Sequence, residues 1–197
     1  LANARRSVIL QAMNPLTHFF VGWATANAAA LSRRERALVV LAGVAPDVDG
    51  LGIVAEALTK HTQTPLLWWS QYHHVLAHNL LFGLALAATA FALATRRAAT
   101  AGLALLAFHL HLLGDLIGAR GPDGDQWPIP YLWPLHGDWR LVWSHQWAIN
   151  AWPNFVLTAA LIFLTLYLAA RRGYSPLEFV SPKADKKFVE TLRRRRG

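Results

Sequence analysis

His111 and Asp115 stand four residues apart inside an apolar stretch, so a helix there puts an imidazole and a carboxylate on one face. His74 and His78 repeat that spacing, with His73 one residue earlier, and Asp47 and Asp49 follow Pro46 where an apolar run closes. His18 opens a further apolar segment. Four separate segments thus offer nitrogen and oxygen donors, a set that suits zinc, manganese or iron and is large enough for a two-ion site. A divalent ion in such a set makes water nucleophilic at neutral pH, which is hydrolytic chemistry. Asp49, or one of His73 and His74, would then carry the proton. Plainer readings stay open at this point. A His/Asp pair can be a buried hydrogen bond, and Asp47-Val48-Asp49 can be a helix cap and turn.

The elements that must hold these residues are apolar helices. Residues 150–170 carry no charge and stop at Arg171-Arg172, long enough to cross a hydrocarbon core of ~30 Å at ~1.5 Å per residue. Residues 79–95 and 98–114 are also uncharged and flank Arg96-Arg97 like the arms of a hairpin. Residues 15–31 form a weaker fourth stretch, ending before Arg33-Arg34-Glu35-Arg36. Residues 37–45 are too short to span and read as a partial-depth helix, and residues 51–58 may be counted as another short helix. The expectation is an all-α, multi-pass membrane helical bundle with about four spanning helices and one or two partial ones. Residues 119–149, rich in Gly, Pro, Trp and Asp, read as an ordered loop, with Gly121–Asp125 a solvated turn.

Composition agrees. Apolar types make up 54% of the 197 residues and charged types 15%, against roughly 25% in a soluble domain. Mean hydropathy is +0.27. The net charge of +8 comes in clusters between apolar runs, a topology signal rather than a nucleic-acid footprint, and no nucleic-acid partner is expected. With no cysteine, disulfides, thiolate metal sites and a cysteine nucleophile are excluded. Met13 begins a stretch that reads as a natural start, so residues 1–12 read as an upstream extension. Residues 13–172 form the membrane-embedded metal-binding domain and residues 173–197 a basic cytoplasmic tail whose arginines meet anionic lipid headgroups.

With the basic clusters in the cytoplasm, every histidine and Asp47, Asp49 and Asp115 fall toward the outer side. At ~1.5 Å per residue, Asp47, His111, His18, His78 and Asp115 lie roughly 16 to 27 Å above their basic anchors. Ionisable groups at that depth face a cavity, a partner or an ion. Tryptophans including Trp68, Trp69, Trp127 and Trp133 share that side, as an interfacial belt or as a cover beside a lipid-like substrate. The loop residues His136, Asp138 and His145 have a spacing that identifies nothing.

Thr17-His18 with the following Phe-Phe-Val-Gly, then Ala45-Pro46-Asp47-Val48-Asp49, resemble the opening of the bacterial membrane-bound metal-dependent hydrolases. The ordered series continues with His73-His74-Val75-Leu76-Ala77-His78, His111-Leu112-Leu113-Gly114-Asp115 and Leu132-Trp133-Pro134. His74 stands where that family has arginine, and Ala77 where it has threonine. The resemblance implies an inner-membrane location. It also implies one or two divalent ions, zinc ahead of manganese or iron, held by His18, Asp47, Asp49, His78, His111 and Asp115, with His73 and His74 as further donors. The activity it implies is hydrolysis of a phosphoester or lipid-like ester. The competing class is a non-enzymatic membrane metal-binding protein, an ion-handling transporter or a scaffold.

Overall fold

The computed structural model describes residues 15–121, 124 and 126–194; the extension 1–12, Met13, most of the Gly121–Asp125 turn and the last two arginines lie outside them. The described elements are helical, with only isolated bridges, Arg120 to Ala148 and Ile129 to Leu141, outside them. In order they are α1 (Pro15–Ala26), α2 (Arg33–Val44), a 3-10 segment (Ala45–Leu51), α3 (Gly52–Thr59), α4 (Trp68–Tyr72), α5 (Leu80–Leu93), α6 (Arg97–Gly118), α7 (Trp152–Arg172), a second 3-10 turn (Pro176–Phe179) and α8 (Pro182–Arg194).

Among the described residues, three helical stretches are long and apolar enough to cross a membrane: Arg33–Thr59, Arg97–Gly118 and Trp152–Arg172. The sequence expectation of about four differs on two points. Among the described residues α1 runs for 12 residues and α5 for 14, both short of a span. Conversely, the run at residues 37–45 does not stand alone. Pro46 cannot supply the N–H that would continue α2, so the chain tightens into a 3-10 segment and resumes as α3, giving one helical stretch of 27 residues. Trp152, Phe155 and Phe163 on α7 are more than two-thirds exposed, the surface expected of a helix that faces lipid.

Helix α6 is the central element and packs against α1, α2 and α5. Its Ala104, Ala107, Phe108 and Leu112 are buried together with Trp23, Val39, Val40, Ala42 and Ala90. Small residues bring the backbones close, as membrane helices require. A Cβ on Gly22 would lie 3.1 Å from Val40 Cα, and one on Gly43 would lie 3.2 Å from Gly22 Cα and 3.4 Å from the His18 carbonyl oxygen. That crossing sets His18 of α1 beside the end of α2. Replacing Gly43 with Val therefore costs about 1–3 kcal/mol of overpacking strain. Its Tm in detergent should fall with the helix content of the folded state unchanged; an unaltered Tm would mean that the crossing can relax freely.

At the other end of the bundle, Ser32 and Glu35 cap α2 reciprocally, and Glu35 Oε1 also accepts from the Arg96 amide at 2.6 Å, tying α2 to the α5–α6 turn. Beyond residue 172 the described chain forms the Pro176–Phe179 turn and α8, and is fastened to the bundle. Arg36 donates to both Glu178 carboxylate oxygens at 2.7 and 2.6 Å, with both side chains buried, and its guanidinium lies 3.7 Å over the Tyr174 ring. Asp185 of α8 accepts from the Ser175 amide and hydroxyl.

Candidate metal centre

Pro46 and the tightened turn after it bring Asp47 to the α6 face that carries His111 and Asp115, and turn Asp49 toward His73 and His78. His18 arrives from α1, and His73, His74 and His78 from the segment between α4 and α5. Two groups of three donors result, each with its donor atoms within 4.8 Å of one another: His18, Asp47 and His111, and His74, His78 and Asp115. Asp115 is the contact between them. Its Oδ1 lies 3.2 Å from His18 Nε2, and its Oδ2 lies 3.0 Å from His111 Nε2 and 3.3 Å from His78 Nε2. Apart from Asp47, which is partly buried, all of these residues are buried.

Where the protons sit decides what this cluster can hold. His111 Nδ1 faces the Gly43 carbonyl at 2.9 Å, and a carbonyl only accepts, so the His111 proton is on Nδ1. His78 Nδ1 likewise donates to Asp49 Oδ2 at 3.0 Å. In their neutral forms both rings then turn basic Nε2 atoms inward, 3.2 Å from each other and both against Asp115 Oδ2. Lone pairs facing lone pairs repel. Asp115 Oδ2, Asp47 Oδ2 and His74 Nδ1 are also buried without any hydrogen-bond partner. A cation among these atoms would satisfy all of them, and the outward N–H bonds to a carbonyl and a carboxylate are what orient ligating histidines. The donor set fits a divalent metal.

Asp49 stands apart from both groups. Its carboxylate accepts from His73 Nδ1 at 3.0 Å, from His78 Nδ1 and from the Ala77 amide at 3.3 Å. His73 consequently keeps a basic Nε2, which is buried and has no hydrogen-bond partner. Its ring stacks on Trp69 at 3.8 Å, and Trp127 meets His73 and His74 edge-on at 5.3 and 5.0 Å. His74 takes φ 65°, a left-handed conformation that a side-chain-bearing residue adopts only under constraint. Burial, with His78 alongside, pushes its imidazole well below the ordinary histidine range, leaving it neutral and able to donate an electron pair.

The structure thus brings His18, Asp47, His78, His111 and Asp115 together, adds His74 to the second group, and places Asp49 with His73 as a hydrogen-bonded pair at the edge. His136 and His145 lie exposed in the loop, away from this cluster. His109, on another face of α6, bonds the Tyr131 hydroxyl at 2.8 Å. Two buried amides escaped notice in the sequence. Gln146 donates to the Asp115 carbonyl at 2.8 Å while accepting from the Trp127 amide, so it ties the aromatic cover to α6. Asn154 binds the Gly118 and Ile149 carbonyls and the Trp147 indole, closing the loop onto the start of α7. A polar residue in an apolar span was a usable signal for Asn154; Gln146 carried none.

Comparison with known proteins bears on the whole chain. No curated protein and no solved structure matches it. A family model described as YdjM inner membrane protein matches residues 13–180, and the chain belongs to that family.

Proposed function

We propose that this YdjM-family membrane protein is a metal-dependent hydrolase acting on a phosphoester or lipid-like ester, with two divalent ions as its cofactor and zinc as the first choice. The observation that carries the reading is the inward set of basic Nε2 atoms facing carboxylate oxygens that lack protons to share. His18, Asp47 and His111 would hold one ion, and His74, His78 and Asp115 the other. Such ions supply Lewis acidity that makes water an available nucleophile near neutral pH. The chain's own residues do the remaining work. His73 accepts a proton at Nε2, and Asp49 holds that ring in the tautomer that can do so while fixing His78 in the same way. Trp69 and Trp127 screen this edge from bulk water. The basic residues at Arg33–Arg36, Arg96-Arg97 and Arg171-Arg172 favour a cytoplasmic placement of those ends, which puts the centre toward the outer side.

What favours an enzyme over a transporter or scaffold is the His73–Asp49 pair, a proton-handling device beside the donor groups. The test is metal analysis of detergent-purified protein together with a screen of phosphomonoesters, phosphodiesters and carboxylic esters. The expected result is about two divalent ions per chain, as two-metal hydrolysis requires, and turnover that a chelator removes and added metal restores. Stoichiometric metal without turnover on any ester would hand the site to the scaffold or transporter class. Absence of metal would overturn both.

A further inference from the structure

A cavity of about 640 Å³ opens beside the centre, between α3 and α4. Its volume is that of a pocket for a single small ligand. The walls are Val48, Leu51, Val54, Leu58, Trp68 and Leu76, and the charged residue among its lining is Asp49. The two helices are tied to each other along the cleft. A Cβ on Gly52 would lie 2.7 Å from the Trp68 carbonyl carbon, and Ser70 is fastened to Glu56 by its amide and hydroxyl. On its wall, Leu51, Val54 and Leu58 are 65, 54 and 79% exposed.

Three features decide the occupant. The cavity is lined by the second half of the Arg33–Thr59 stretch, which is long and apolar enough to cross a membrane, and its apolar lining residues are exposed. In a bilayer the molecules that abut such an opening are lipids, and a dry apolar cleft gives water too few partners to stay. Finally, Asp49 is among the lining residues, and its buried carboxylate holds His73 and His78. We infer that this cavity is an acyl-chain subsite: it takes one hydrocarbon chain of a membrane phospholipid and leads its phosphoester past Asp49 toward His73. The fate of that ester rests on the hydrolase reading, whereas the occupancy of the cavity does not. Because the chain comes from an apolar solvent, shape rather than hydrophobic transfer selects it.

The experiment is photolabelling in vesicles of phosphatidylethanolamine and phosphatidylglycerol, doped with a phosphatidylglycerol that carries a diazirine near the end of one acyl chain. Label is expected to concentrate on peptides covering residues 48–58 and 68–76. Ala55→Trp fills the cavity and Leu58→Trp obstructs its mouth at an exposed position, so each should lose that label while keeping label on α7 and full metal content. If Ala55→Trp fails to fold, Leu58→Trp decides. Label spread evenly over the lipid-facing helices, or undiminished in the folded variants, overturns the subsite. His73→Ala and Asp115→Asn should keep the cavity label. A wild-type protein that labels in the cavity but holds no metal would sink the hydrolase reading alone.

Discussion

Asp115→Asn should empty the centre of both ions, whereas His18→Ala should lose one and keep the other. The asymmetry follows from position. Asp115 supplies a carboxylate oxygen to the His74–His78 group, and its other oxygen faces His18 of the neighbouring group. Removing its charge leaves two neutral imidazoles in one group, and takes from the second the carboxylate that faces His18, so that Asp47 is its remaining anion. The loss of affinity should exceed the ~10–100-fold that follows removal of a mere orienting partner. Metal content by mass spectrometry on the folded, membrane-inserted variant reads the result directly, and retention of both ions by Asp115→Asn would remove it from the ligand set. A purely structural pair behaves differently: replacing His111 and Asp115 together with apolar residues would then be nearly neutral, since buried polar pairs often tolerate joint removal. The direction with pH is also fixed. Protons compete with the ion for each Nε2, so affinity should weaken as pH falls through ~6.5, the ordinary histidine value.

The second large effect separates chemistry from metal binding. His73 belongs to neither donor group, yet its buried Nε2 has no partner and its Nδ1 is pinned by Asp49. His73→Ala should therefore keep its metal and lose turnover by about 10²–10⁴, the usual worth of a positioned general base. Asp49→Asn should show a mixed phenotype, with metal affinity lowered through His78 and turnover lowered through His73. Equal loss of metal and turnover in His73→Ala would show that the ring ligates rather than moves a proton.

Much of this arrangement could be read from residue spacing, because short-range geometry on a helix is rigid. The i,i+4 pair His111 and Asp115 does share one face of α6, and Pro46 does end a helix and present Asp47 and Asp49. Charge clusters marked the ends of α2, α6 and α7 correctly, since arginine cannot sit in hydrocarbon without a partner. What spacing could not give was continuity and tilt. Residues 33–59 read as two short pieces around a proline, although a 3-10 turn carries the helical path across it. Residues 15–31 look long enough to span, but α1 stops at Ala26 and Asn27 turns its side chain back onto the Trp23 carbonyl. Roles were harder still. Asp49 and Asp47 are alike in sequence, and only the Nδ1 contacts of His73 and His78 set Asp49 apart.

The Arg36–Glu178 pair has a consequence for how the chain is made. The partners are 142 residues apart, so Arg36 emerges from the ribosome long before the carboxylate that will neutralise it. Until the tail is synthesised, the early helices cannot close over that guanidinium without burying an unmatched charge, a penalty of about 3–5 kcal/mol for such a pair broken on one side. Helices α1 and α2 therefore lack this tie while α5 to α7 are being made, and the later-translated Glu178 supplies it. A chain cut short before Glu178 should therefore be cleaved by added protease more readily than one that retains it.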